Sequence, residues 1–462
     1  MTVKENSEKQ SISQADFELF AEQVRQGMER TQVPGVAVGI LYGDQEYSAG
    51  FGVTSIDNAL PVTPQTLFQI GSTSKTVTAT AVMRLVEQGK VDLDAPVRKY
   101  IPDFKVQDEE ASANVKVRDL FTHTAGWAGD FFIDTGIGDD ATSQYVTRMA
   151  ELPQVTPLGS AWSYNNASFV VAGKIIEAVT GKSYEVATKE LIFEPLGMKD
   201  SFFFPAEVMT YRFAVGHHVF PEGPRVARPW PIPRGSNSAG GISTTIPDQF
   251  RYARFHLGDG TAEDGTRVLS PESVAYMQSN LYEISEGGDA MGLSWMLHDM
   301  PGAHIVRHGG GTNGQISAFM LVPEKKFALI IVTNANKGTE LNNELTSWAF
   351  KHFLGASETE PEFTEITADL LASYAGNYHS MGSQAELTLK EGGLEMLVKP
   401  VNLLGGEESA PPPPPPTRLN FISEDKAIAA DGPYKGVKVE FSRKANGSVN
   451  WLRMGSRIAT RQ

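Results

Sequence analysis

The chain runs to 462 residues, 41% hydrophobic and 21% charged, an ordinary globular composition with room for two or three domains. A net charge of −15 without any Lys/Arg cluster argues against a nucleic-acid partner, because such binders carry a basic face. The absence of cysteine removes disulfides, thiolate catalysis and Cys-ligated zinc.

No apolar run approaches the roughly 18 residues that span a bilayer, so no membrane partner is expected. The start, Met1 to Asn6, is polar and leads into Gln/Ser-rich sequence with no apolar signal segment, so the expected address is cytoplasmic. Residues 1–14 are expected to be disordered. Phe17, Phe20, Ala21 and Val24 then recur at helical spacing and predict a helix over 15–30. Two strands follow, 35–41 and 46–51, joined as a hairpin through Gly43 and Asp44. A helix is expected from Gly71 to Gln88, with Ala81, Val82, Leu85 and Val86 as its buried stripe and Gly89 as a left-handed cap.

The stretch 90–300 mixes short helices with Gly/Pro turns, and 166–180 and 247–257 read as helices within it. Strands return at 304–306, 316–322 and 327–333, followed by a helix over 340–354. Strands at both ends of a unit with helices between them predict an α+β fold. One antiparallel sheet would draw on both ends, with helices flanking it and a helical region inserted.

The expected boundaries are a large α+β domain over 15–355, an acidic, proline-containing linker over 356–367 and a β-barrel-like domain over 368–462. That last region has short alternating strands at 386–390, 394–399, 419–423, 437–443 and 448–454, with turns at Gly392-Gly393 and Asn446-Gly447. The prolines 411–416 read as a stiff exposed spacer.

The chemistry starts at Ser72-Thr73-Ser74-Lys75, which puts a hydroxyl and an amine on one helical face. A serine hydroxyl needs a base to take its proton, and a desolvated lysine can be that base. Chance alone supplies roughly one or two such matches in a chain this long, so the motif needs context. Tyr164-Asn165-Asn166 follows, and then Arg307-His308-Gly309-Gly310-Gly311 between two expected strands. Taken singly these read as a turn and a structural histidine.

Together, in this order, the three motifs resemble the serine β-lactamase and penicillin-recognising superfamily. The branch is the one holding class C β-lactamases, D-alanyl-D-alanine carboxypeptidases, D-aminopeptidases and related esterases. The resemblance covers about 15–355 and extends to Leu120-Phe121-Thr122-His123-Thr124-Ala125-Gly126, Pro195-Leu196-Gly197-Met198 and Ala239-Gly240-Gly241-Ile242-Ser243-Thr244. The terminal region, opening with Tyr374-Ala375-Gly376-Asn377-Tyr378, looks like the β domain of some D-aminopeptidase-like members. In some relatives such a domain narrows the entrance, so removing 366–462 is expected to broaden substrate size.

The resemblance implies a cofactor-free serine hydrolase acting on a small-molecule or short-peptide substrate, and leaves the oligomeric state open. Ser72 would be the acylated nucleophile and Lys75 its orienting base. Tyr164 would be the proton shuttle, with Lys75 and a protonated His308 favouring its phenolate. Asn166 would bond Lys75 and a substrate amide. The N–H groups of Ser72 and Gly311 would form the oxyanion hole, with Gly310 allowing close approach.

His308 stands where β-lactamases of the branch carry lysine, which tilts the expectation towards amides of D-amino-acid-like substrates. It would also bring a titration near 6.5, with activity falling below about pH 6–7 if the neutral ring is required. A promiscuous carboxylesterase, a β-lactamase and a non-catalytic ligand-binding homologue are the competing readings. No metal is expected at His217-His218, since adjacent strand residues face opposite ways. Trp127, Phe131 and Phe132 read equally as pocket lining or as loop anchors.

Overall fold

The computed structural model describes residues 12–285, 288–391, 393–401 and 414–462. The expected disordered start as far as residue 11, the turn at Gly392 and prolines 411–413 lie outside these residues. The chain forms two compact units. The first comprises the described part of Met1–Ala95 together with Thr135–Ser143 and Ala172–Glu358; the second comprises Pro96–Asp134, Gln144–Val171 and Thr359–Gln462. The grouping differs from a single boundary near 356–367, because two internal stretches go with the C-terminal segment.

The first unit contains α1 (Gln14–Thr31), β1 (Gly35–Tyr42), β2 (Gln45–Gly52), α2 (Ser74–Glu87) and α3 (Ile246–Leu257). It continues with β3 (Tyr282–Ser285), β4 (Asp289–Met291), β5 (Met296–Met300), β6 (Ala303–Thr312), β7 (Gln315–Val322), β8 (Phe327–Thr333) and α4 (Gly338–Ala349). Order begins earlier than expected, because Ser13 caps α1 through a reciprocal box with Asp16 and Ile12 is buried.

The eight strands form one antiparallel sheet in the order β2-β1-β8-β7-β6-β5-β4-β3. N- and C-terminal strands therefore meet, with Val36 opposite Thr333 and Tyr42 opposite Phe327. β1 is apolar at nearly every position because both faces are covered. Val36, Val38 and Ile40 join Phe20, Val24, Leu341 and Leu345 in one core, while a Cβ at Gly39 would strike Phe250 of α3 at 2.8 Å.

The helix after the first motif is buried on almost every face rather than along one stripe. Its threonines survive burial by bonding to carbonyls: Thr76 Oγ1 donates to Thr73 O at 2.8 Å, Thr80 Oγ1 to Thr76 O at 2.8 Å and Thr78 Oγ1 to Ser238 O at 2.7 Å.

The second unit contains a closed barrel of eight strands: β9 (Gly376–His379), β10 (Ser383–Lys390), β11 (Gly393–Pro400), β12 (Thr417–Ser423), β13 (Lys426–Ala429), β14 (Lys438–Arg443), β15 (Val449–Met454) and β16 (Arg457–Arg461). The sequence pattern suggests the other five but not β9, β13 and β16, which have only four or five residues each. Those short strands complete the ring, and β9 pairs with β16 through Tyr378 opposite Arg461.

Candidate active site

In the first unit, Phe68–Gln69 pairs with Ser243–Thr244, and the chain then turns sharply into the helix start at Gly71–Thr73. Gly71 has φ +51°, and a Cβ there would lie 2.7 Å from Gly311 N. From the other side, a Cβ at Gly310 would sit 1.9 Å from Ile70 O and 2.7 Å from Ser72 N. Only glycine lets the β6 backbone come this close to the serine turn. Ser317 on β7 locks the approach, donating to Ile70 O at 2.7 Å and bonding Thr73 Oγ1 at 2.9 Å.

Within this turn Gly71, Thr73, Ser74 and Lys75 are buried and Ser72 alone keeps partial exposure. Lys75 Nζ donates to Ser72 Oγ at 3.0 Å and to Ala239 O at 2.6 Å. Ser72 thus combines partial exposure with a bond to a fully buried amine. Pairing of β6 with β5 ends at Arg307, while pairing with β7 continues to Thr312. Gly309 and Gly311 are exposed along that stretch, so among the described residues the edge beside the serine is open past Arg307.

His308 departs from the expectation of a protonated ring. It is buried opposite Phe319, and its Nδ1 lies 2.6 Å from Gly309 O, which can only accept, so the proton sits on Nδ1. Burial, then the charges of Lys75 and Arg307, push its pKa down to about 3. At neutral pH it is an uncharged ring and supplies no cation to a neighbouring phenol or substrate carboxylate.

His217 is likewise structural, with Nδ1 donating to Asn334 O at 2.7 Å and Nε2 accepting from Ile56 N at 3.3 Å. Among the described residues no cluster of His, Asp and Glu could hold a metal ion.

In the second unit, Tyr164 and Asn166 sit on the turn entering the helix Asn166–Thr180. His123, at φ +58°, places its ring 4.4 Å from the Tyr164 ring and accepts from Asn165 N at 3.0 Å through Nδ1. Asn165 Nδ2 donates to Trp127 O at 2.8 Å, and the N–H groups of Asn166 and Ala167 converge on Gly129 O at 3.1 and 3.0 Å. Trp127 is therefore an anchor, packed 5.6 Å from Phe104, whereas Phe132 is exposed.

Asn166 Nδ2 donates to Asp130 Oδ1 at 2.7 Å. The same carboxylate takes Arg457 in a fork, Nε to Oδ2 and Nη2 to Oδ1, both at 3.1 Å. Neither Asp130 nor Arg457 belongs to a motif that marks it in the sequence. The only local sign of Arg457 is the Gly455-Ser456 turn before it, and nothing in the pattern says which loop that turn meets.

A partly exposed serine bonded to a buried lysine, against a glycine strand with an open edge, belongs to a serine hydrolase. The chain belongs to the beta-lactamase family, whose model matches residues 20–351. It is similar to Penicillin-binding protein 4 of Amycolatopsis lactamdurans, 34% identical over 362 residues, covering 76% of this chain and 94% of that protein. It is also similar to Esterase EstB of Burkholderia gladioli, 33% identical over 319 residues, covering 61% of this chain and 80% of that protein. The crystal structure of SurE with D-Leu, 22% identical, matches 97% of this chain and 100% of its own with a TM-score of 0.75, which speaks for the fold of the whole chain. Among the described residues no helix is long and apolar enough to cross a membrane.

Proposed function

We propose that the enzyme cleaves amide bonds of D-amino-acid-like peptides or related small amides through an acyl-enzyme on Ser72. The observation that carries the acyl-enzyme is the 3.0 Å bond from Lys75 Nζ to the hydroxyl of the one partly exposed residue in a buried turn. Ser72 Oγ attacks the carbonyl carbon, with Lys75 helping to take its proton and Tyr164 in the shuttle role that the family pattern assigns to it. The oxyanion is stabilised by the N–H groups of Ser72 and Gly311. The C–N bond then breaks, Tyr164 returns the proton to the departing amine, and water releases the acid. Asn166, whose Nδ2 is committed to Asp130, presents Oδ1 to an ammonium or a substrate N–H.

The open edge over 308–312 supports a peptide-like substrate, because an extended backbone can add to it as a strand. The uncharged His308 supports an amide without the carboxylate that a lysine there would pair. Incubation with a fluorophosphonate or penicillin, followed by intact mass, is expected to give one adduct on wild type and none on Ser72→Ala. Turnover by that variant should fall at least about 10⁴-fold. No Ser72-dependent adduct with either probe would sink the acyl-enzyme. Dominant turnover of a chromogenic cephalosporin over D-alanyl p-nitroanilide and p-nitrophenyl butyrate would overturn the amide assignment.

A further inference from the structure

The tyrosine of the second motif is held by a hairpin that lies almost at the other end of the chain. Tyr164 N donates to Ser456 O at 2.8 Å, Ile458 N donates to Ser163 Oγ at 3.2 Å, and Arg453 Nη1 donates to Trp162 O at 3.2 Å. The turn between β15 and β16 is thus laid against residues 162–164 as a template.

From the same turn Arg457 places its guanidinium carbon 4.4 Å from the centroid of the Tyr164 ring. Nη1 donates to Ser456 Oγ at 2.6 Å, while Nε and Nη2 grip Asp130, which also receives Asn166. An ion pair that only joined two segments would not need to lie on this ring. A cation there is attracted to the ring, and more strongly once the phenol has lost its proton.

Within this unit the charged and titratable groups around Tyr164 can be named. His123 accepts an N–H through Nδ1, so its ring is neutral. Asp130 stands behind Arg457, and Arg453, paired with Glu440, lies over Trp162 at 5.6 Å. Among these groups Arg457 is the cation that lies on the Tyr164 ring.

We propose that Arg457, delivered by the barrel and oriented by Asp130, is a positioning residue for Tyr164. It fixes the phenol for proton transfer and stabilises the negative charge that develops on it. The inference rests on the acyl-enzyme reading, and its test separates the two.

The full-length enzyme is labelled with a fluorophosphonate from pH 5 to 10, alongside steady-state kinetics on the best amide or ester substrate. Arg457→Gln is expected to lower kcat about 10- to 100-fold with KM within about threefold. It should also raise the pH of half-maximal labelling by about one unit, since losing the cation makes the deprotonated form harder to reach. Asp130→Asn removes the counter-charge and should move that midpoint the opposite way, to lower pH. A general loosening of the loop would not give opposite signs. For Arg457→Ala, millimolar guanidinium should restore part of the labelling rate and equal NaCl should not.

If wild type labels at Ser72 but both variants keep its rate and midpoint, Arg457 has no such role. Midpoints that move together in the two variants overturn it as well. If Arg457→Gln fails to fold, an unmoved or raised midpoint in Asp130→Asn decides against the proposal. Absence of a Ser72 adduct on wild type would instead be the failure of the acyl-enzyme reading.

Discussion

Each motif turn leans on a carboxylate–arginine pair, but the arginines do different work. In the first unit the buried Glu185 accepts from Arg234 Nε at 3.2 Å and from Asn237 Nδ2 at 2.8 Å. Asn237 opens the short helix Asn237–Gly240, where Ser238 O takes Thr78 and Ala239 O takes Lys75. Arg234 therefore steadies a carbonyl that steadies the lysine, and its own aromatic neighbour is Phe204, at 5.1 Å. In the second unit Arg457 lies on the motif tyrosine itself. Close backbone approach sets the first turn, whereas in the second an arginine charge lies directly on the motif residue. Substitutions that act on shape should injure the first turn most, and substitutions that act on charge should retune the second.

Gly310→Ala breaks the comparison most severely. Its Cβ would fall 1.9 Å from Ile70 O, a backbone atom that cannot swing aside, so either β6 or the serine turn must retreat. The gap between Ser72 N and Gly311 N then opens, and kcat is expected to fall about 10²- to 10³-fold, the usual effect of losing an oxyanion donor. The labelling rate reads this directly. Activity within threefold of wild type would mean that the close approach does not set the geometry.

Glu185→Ala tests the first unit's ion pair with a smaller effect. It strands Arg234, only 14% exposed, with Asp139 as its remaining carboxylate, and deprives Asn237 of its acceptor. A loss of about 3 kcal/mol in urea denaturation is expected, as for other broken buried pairs. The pH midpoint of labelling should not move, because Arg234 touches no reacting group. A moved midpoint would erase the distinction from Arg457.

This contrast also explains what the sequence makes legible. Ser72, Lys75 and Gly89 sit in one local helix pattern, and residues 35–41 and 327–333 are apolar runs that announce buried strands. Gly310 and Gly311 stand out because successive glycines in a strand need a reason. The Asp130–Arg457 pair has no such signature, since its members are 327 positions apart and meet only because the barrel closes. β16 is too short to be distinguished from a tail, so the residue it carries went unseen. The same pairing adds a second effect to the removal of 366–462, beside the expected broadening of substrate size. That cut takes Ser456, Arg457 and Ile458 away from residues 162–164, so it removes support from the tyrosine as well as any cover.

His308 gives the finest test, because the structure moves its titration out of the working range. With a folded pKa near 3 against an ordinary 6.5, the neutral ring is favoured by folding. The unfolded chain therefore binds the extra proton between those values. The associated stability is complete well above pH 6.5 and declines as pH falls towards 3, by about 3 kcal/mol at pH 4.5. His256, also buried and near 3, adds a loss in the same direction. Urea midpoints at pH 7.5 and 4.5 should converge partly in His308→Gln, and equal losses in wild type and variant would contradict the depressed pKa. Activity between pH 5 and 8 should carry no limb from His308, so its Gln variant should keep the wild-type midpoint within about 0.3 units while Arg457→Gln shifts it by about one. A limb near 6.5 that vanished in His308→Gln would return the charge to the glycine strand and take it from the barrel.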